Sequence, residues 1–432
     1  YILPSLILGI VLLKDKTTPP LYALLGSLWV YLFLNQGPIY APLILSLIIV
    51  VLATKLSLIP GLLFCMFAGY YAQLTRYTWS VAPAMWAGLL ILFDKNRTVN
   101  HNERYRKAVF YLIAGIIGGV LLPIFFPVHQ GVYQSAEGQT NTIIDRLSFT
   151  LSQQDLIWAR LLPNSTNHLG IITSILVATL PTLYIVFQAA KKDLQKFGKW
   201  EKTYLLLTLL ATFGVGSIVS IKIGGGSNLH NFDMYFLTIV LLMGIFKDAL
   251  FQFLGDIQLN QKPKIILLLI LSIFLLFQRE IWNIAPLSLP SKSVQENVLH
   301  TMQEEIDRRE TQGEILFIDQ RQLLTFQYIK APLVVDYEKK VLMNEALSKN
   351  SAYFSKFYTD LRNHRFSLII NEPLNIVYQE DEASYSEENN AYVHWVSEPL
   401  FCYYEPLYTF TEVGVELLIP RTSPIPSTIN CP

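Results

Sequence analysis

The sequence predicts an all-α polytopic membrane bundle of about ten transmembrane helices over residues 1–290, followed by a small soluble α/β domain over residues 291–432. Three observations carry that prediction. Hydrophobic residues make up 52% of the chain and charged residues only 15%, and the apolar runs crowd into the first 290 positions. The formal net charge of zero conceals an asymmetry. Lys plus Arg stand against Asp plus Glu as 21 to 12 before residue 291 and as 12 to 21 after it, so +9 offsets −9. Beyond residue 290, short apolar strands alternate with amphipathic helices, the pattern of a water-soluble sheet domain. An acidic domain of this kind argues against nucleic acid as a partner.

Taken in order, the apolar segments run from Tyr1 to Leu13, Leu21 to Leu34, Ala41 to Ala53, Leu58 to Leu74, Val81 to Phe93, Ala108 to Phe126, Gly170 to Ala189, Tyr204 to Ile221, Phe232 to Phe246 and Ile265 to Phe277. Several are shorter than the ~20 residues of a perpendicular span, which leaves room for tilted or re-entrant pairs. The first run is too short to span before Lys14-Asp15-Lys16. With Tyr1 at its start and no charged n-region before it, the chain reads as having lost an N-terminal portion. Basic residues gather on alternate connections: Lys14 and Lys16; Lys55; Lys95, Arg97, Arg104, Arg106 and Lys107; Lys191, Lys192, Lys196, Lys199 and Lys202; Lys247, Lys262 and Lys264. These are 16 of the 21, and loops that keep Lys and Arg stay in the cytoplasm. The opposite connections, with Arg76, Arg146, Arg160, Lys222 and Arg279, then face outward together with the C-terminal domain. One of them, His129 to His168, is too long for a simple connector. Its middle, Thr142 to Leu162, spaces apolar residues as a helix lying on the membrane surface or packing on the outer domain.

The C-terminal domain opens with a helical pattern over Val294 to Arg309, where Val294, Val298, Met302 and Ile306 recur every four residues. Buried strands follow at Glu314 to Asp319, Phe366 to Asn371 and Val413 to Ile419, with helices at Tyr337 to Leu347 and Ala352 to Arg362. Gln379 to Asn390 is acidic and reads as a loop. Open sheets bind ligands beyond the carboxyl ends of their strands. Asp319, Asn371 and Glu372 stand there, as ligand contacts or as ordinary caps and turn residues. Of the three cysteines, Cys65 lies in an apolar run, so only Cys402 and Cys431 could pair.

The polar, glycine-rich stretch from Lys222 to Asp233, wedged between two apolar segments, is the strongest candidate for a site. It admits two readings, a flexible hairpin and a binding site at the mouth of the bundle. Lys222, Asn228, His230, Asn231 and Asp233 all fall within its twelve residues. It lacks the Gly-Lys-Ser/Thr ending of a P-loop and the third glycine of a dinucleotide fingerprint, so no nucleotide cofactor is implied. The seven histidines are scattered, which argues against a transition-metal site. Basic and amide side chains at the outer mouth suit a substrate that is half lipid and half polar head.

The helix count, the segment Arg76-Tyr-Thr-Trp-Ser-Val-Ala-Pro83 leading into a helix, the glycine-rich turn at Lys222 to Asn231 and an outward α/β domain together resemble the GT-C superfamily, including glycosyltransferase family 39, the protein mannosyltransferases. Asp319-Gln-Arg-Gln-Leu-Leu-Thr-Phe326, Asp336-Tyr-Glu-Lys-Lys340 and Glu388-Asn-Asn-Ala-Tyr-Val-His-Trp395 are similar to the endings of bacterial membrane proteins of that type. The resemblance implies transfer of a sugar from a polyprenyl-phosphate donor, in a bacterial plasma membrane, to an extracytoplasmic acceptor. It implies a catalytic carboxylate in the first outer loop, and none stands at Asn35 to Tyr40 or Gln73 to Ser80. The carboxylate is then expected upstream of Tyr1, with Asp145, Asp155 and Asp233 as the outer-face alternatives. Arg76, Lys222, Asn228, His230 and Asn231 are the expected donor contacts, with Arg76 and Lys222 at helix ends beside water. Two rival readings are a membrane protein whose outer domain binds a partner and a lipid or solute transporter. Charged residues inside the spans would favour the transporter, and the spans hold almost none.

Overall fold

The computed structural model describes residues 20–37, 41–94, 101–126, 161–163, 169–222, 229–256, 261–273, 289–383, 385–425, 429 and 431. The described residues through Ile273 belong to one compact unit and those from Leu289 onward to a second.

The first unit is helical: α1 (Pro20–Asn35), α2 (Ala41–Lys55), α3 (Leu58–Thr75), α4 (Ala82–Leu92), α5 (His101–Ile116), α6 (Gly170–Gln195), α7 (Lys199–Lys222), α8 (Asp233–Ile245), α9 (Lys247–Asp256) and α10 (Lys262–Leu271). A π-helical turn, Ile117–Leu121, carries α5 on into Leu122–Phe125. Among the described residues, four helical stretches are long and apolar enough to cross a membrane: Leu58–Thr75, Asn102–Phe125, Gly170–Gln195 and Lys199–Ser220. A fifth is reached if His230–Ile245 and Lys247–Asp256, bent by 73° at their junction, form one span.

The expected ten-helix membrane bundle is thereby corrected. Equating each apolar run with one crossing fails because several runs fold as short helices. α1, α2 and α4 have 16, 15 and 11 residues, about 24, 22 and 16 Å at 1.5 Å per residue, against a hydrocarbon core of about 30 Å. α8 and α10, with 13 and 10 residues, fall short in the same way. The run from Tyr1 to Leu13 and nearly all of the segment from Thr142 to Leu162 lie outside the described residues.

Small residues set how closely these helices pack. A Cβ on Gly118 would fall on the Met66 carbonyl of α3, and one on Gly119 would fall on the Ser80 carbonyl. A Cβ on Gly115 would likewise meet the backbone of Ala84 in α4. Lipid gives helices little hydrophobic reason to associate, so van der Waals approach of this kind has to hold them together. Side-chain hydrogen bonds add to it. The Trp86 indole donates to Thr238 Oγ1 at 2.9 Å, the Tyr111 hydroxyl to the Ala53 carbonyl at 2.9 Å, and Ser46 to the Ala68 carbonyl at 3.1 Å.

The second unit is a three-layer α/β domain. Its sheet has the order β1 (Glu314–Phe317), β2 (Phe366–Asn371), β4 (Val415–Pro420), β3 (Tyr404–Phe410). β1 and β2 are parallel, and the other pairings are antiparallel. On one face lies α11 (Lys292–Arg309), whose Val298, Met302 and Ile306 pack with Ile315, Phe317, Leu368, Ile370 and Leu417. The other face is covered by α12 (Lys339–Leu347), α13 (Ser351–Arg362) and α14 (Ser386–Tyr392), through Leu342, Phe354, Phe357 and Tyr392 against Leu316, Ile369 and Leu418. Both faces of β2 are therefore covered, and it is buried along its whole length. Some elements depart from the sequence reading. The segment read as an acidic loop becomes helical from Ser386. Tyr404–Phe410, which has Pro406 inside it, is a strand; it lies at the sheet edge, where a residue without an N–H is tolerated.

Cys402 and Cys431 form a disulfide, and Cys65 is a buried free thiol. Near that disulfide, Glu405 accepts from the Ser423 hydroxyl and from the amide and hydroxyl of Thr422. These bonds, Ser423 foremost, draw its carboxyl down to about 2. A depressed carboxyl stabilises above its unfolded value and loses that contribution as pH falls toward the folded one. Protection of the Thr422 amide from hydrogen exchange should therefore decline between about pH 4.5 and 2, and Glu405→Gln should remove that dependence.

Candidate functional site

α3 ends because Arg76 takes an extended backbone, φ −157° and ψ 118°, and a 3-10 turn at Tyr77–Trp79 follows. The turn buries Trp79. Asp233 stands at the first position of α8, where unpaired amides and the helix dipole favour a carboxylate. The amide of Met234 donates to its Oδ1 at 2.7 Å. Its Oδ2 accepts from the Trp79 indole at 2.8 Å and from Arg76 Nη1 at 3.2 Å. Arg76 Nη2 donates to Asn231 Oδ1 at 2.9 Å, and Asn231 Nδ2 donates to Ser220 Oγ, near the end of α7, at 3.3 Å. The Arg76 guanidinium also lies 5.9 Å from the centre of the Trp79 ring, within cation–π reach.

Three of the sequence candidates, Arg76, Asn231 and Asp233, thus meet in one hydrogen-bonded cluster. Trp79 and Ser220 complete it. Trp79 enters the sequence reading only within the Arg76 to Pro83 segment and Ser220 not at all, because only the fold brings the indole to Asp233 and the serine hydroxyl to Asn231. The side chain of Arg76 is 17% exposed and that of Asp233 1%, so Arg76 is not the free cation beside water that its helix-end position suggests. Asp233 already accepts on both oxygens and serves as a counter-ion that joins the end of α3 to the start of α8, while Asn231 ties Arg76 to the end of α7.

His230 opens a 3-10 turn, His230–Phe232, and the Leu229–His230 peptide that leads into it packs closely against Gly37 beyond the end of α1. Lys222 closes α7, and its side chain lies outside the described residues, as do Asn228, Asp145 and Asp155.

A second buried ion pair ties the opposite end of α7. Arg104 Nη2 lies 2.8 Å from Glu201 Oε1, and Glu201 is fully buried. From Glu201 to Ser220 the helix rises about 28 Å, close to the thickness of a bilayer's hydrocarbon core. Polar clusters at that separation suit the two membrane interfaces. Comparison with protein-family models, with curated proteins and with solved structures finds no match for this chain.

Proposed function

We propose that the chain is a membrane glycosyltransferase that moves a sugar from a polyprenyl-phosphate donor to an extracytoplasmic acceptor, in a bacterial plasma membrane. The observation that carries this reading is the gathering of Arg76, Trp79, Asn231 and Asp233 around the end of α7, whose last residue, Lys222, precedes the glycine-rich stretch in sequence. Helix ends that present cations and amides at an interface meet the phosphate of a lipid-linked donor. In this reading Asp233 orients Arg76, Lys222 meets the phosphate, and His230 and Asn228 belong to the head-group side. Inversion at the anomeric carbon needs a base for the acceptor's proton. With Asp233 committed as a counter-ion, that role falls to another carboxylate, Asp145 and Asp155 among the candidates. The Cys402–Cys431 disulfide supports an extracytoplasmic second unit, since disulfides persist in oxidising compartments.

The test is transfer of labelled hexose from polyprenyl-phosphate donors by purified protein. A charge-assisted contact is worth about 1.5–3 kcal/mol, so Lys222→Ala should lower turnover by about one to two powers of ten. Transfer at the wild-type rate would remove Lys222 from the site. No transfer by the wild type from any donor would overturn the reading.

A further inference from the structure

The second unit carries ion pairs at one end of its sheet and exposed apolar side chains at the other. β1 and β2 are parallel, so the connections that follow them, residues 318–338 and 372–385, both leave from the carboxyl end. The same end receives the chain. α11 gives way to β1 after the turn Glu310 to Gly313. The carbonyls of Arg309 and Gly313 accept from Ser367 Oγ at 2.9 and 3.1 Å, so α11 finishes beside the amino end of β2. Its 18 residues rise about 27 Å, against about 20 Å for the 6 of β2. The first turn of α11, with Leu289 just before it, therefore lies at the carboxyl end.

Large apolar side chains are exposed there on three separate segments: Leu289 on the entering chain, Phe326 and Tyr328 after β1, and Ile376, Val377 and Tyr385 after β2. Leu289, Phe326, Tyr328 and Val377 are between 66% and 72% exposed. Both connections are anchored. The Lys330 amide donates to Gln303 Oε1 of α11 at 2.8 Å, and Asn389 Nδ2 of α14 donates to the Val377 carbonyl at 2.9 Å. Ile329, the neighbour of Tyr328, is buried in the cluster that includes Met302. At the amino end Arg365 instead pairs with Glu314 at 2.9 Å and Asp360 at 2.8 Å, and Arg308 and Arg309 pair with Glu305.

Single exposed apolar residues are ordinary, but six from three segments at one end mark a surface that something covers. The route of the chain says what. Residues 274–288 join Leu289 to the unit that holds the membrane-spanning helices, at most about 50 Å of extended chain. A bilayer is thus always within reach of this end, whereas a free partner has to be met by diffusion. Phe326, Tyr328 and Tyr385 are aromatic, and tyrosine in particular gathers at the level of lipid head groups. Charge selects the kind of contact. Asp319 and Glu372, at the strand ends, are paired with Lys339 at 3.3 and 2.5 Å, and Glu380, Asp381 and Glu382 stand shortly before Tyr385. Acidic neighbours repel anionic head groups, so apolar burial has to supply the attraction.

We propose that the carboxyl end of this sheet rests on the lipid–water interface of the bilayer that the first unit spans, with Phe326, Tyr328 and Val377 inserted among the head groups. This inference stands apart from the transferase reading and needs no catalysis. The test uses the full chain, one copy per phosphatidylcholine nanodisc, carrying bimane on Tyr328→Cys, Val377→Cys or, at the amino end, Gln312→Cys. Cys65 is buried and Cys402 and Cys431 are joined, so the introduced thiol takes the label. Lipid brominated near its head group should quench the label at positions 328 and 377 at least twice as strongly as at 312. Quenching should be the same at about 0.1 M and about 1 M salt, although screening differs greatly between them. Phe326→Ser combined with Tyr328→Ser, both side chains standing clear of the core, should at least halve the quenching at 377 with the melting temperature unchanged. One copy per disc excludes cover by a second chain. Equal quenching at 312 and 377, quenching abolished by salt, or no loss in the double variant would overturn the proposal.

Discussion

Asp233→Ala should destabilise the helical unit by about 3–5 kcal/mol, the cost of leaving one member of a buried ion pair without its partner. Asp233 holds Arg76, Trp79 and the Met234 amide together, so its loss removes the ion pair and a hydrogen bond to the indole at once. At roughly 2–4 °C per kcal/mol for a unit of this size, melting should fall by about 6–20 °C. Arg76→Ala should act alike, because it leaves a carboxylate buried. Combining Arg76→Met with Asp233→Leu should recover most of the loss, since a buried pair is commonly replaceable by apolar residues of similar volume. Thermal unfolding of the four proteins in one detergent measures both effects. A single variant as stable as the wild type would show that the pair holds nothing in place.

The second large effect concerns packing. Gly118→Leu should destabilise the unit by about 3 kcal/mol, the upper part of the range for overpacking. The obstacle is the Met66 carbonyl, a backbone atom that cannot rotate away, so α3 and the turn after α5 would have to separate. Gly118→Ala should already cost more than about 1 kcal/mol. Gly214 in α7 is the contrast, with nothing within 4 Å of its missing Cβ. Gly214→Ala should be neutral or stabilise by up to about 1 kcal/mol through helix propensity. Thermal unfolding again decides it, and equal effects at the two glycines would discard close packing as the cause.

Local patterns in the second unit translate directly into structure. The every-fourth-residue spacing of Val294, Val298, Met302 and Ile306 appears as the buried face of α11, and Phe366 to Asn371 appears as the strand buried on both faces. Periodicity is a property of neighbouring residues, so it survives being read one segment at a time. The polar stretch at the end of α7 was legible for the same reason, as charged and amide groups amid hydrocarbon. The number of spans was not, because hydropathy counts apolar residues whereas crossing a membrane also depends on where each helix stops. α4 stops after 11 residues and α8 bends into α9. The role of Arg76 was hidden too, since its partners Asn231 and Asp233 lie more than 150 positions away. By itself the sequence determined an apolar helical part, an α/β part and the polar residues that stand out against each. Only the tertiary structure decided which of those residues meet. Burial converts a helix-end cation into half of an ion pair.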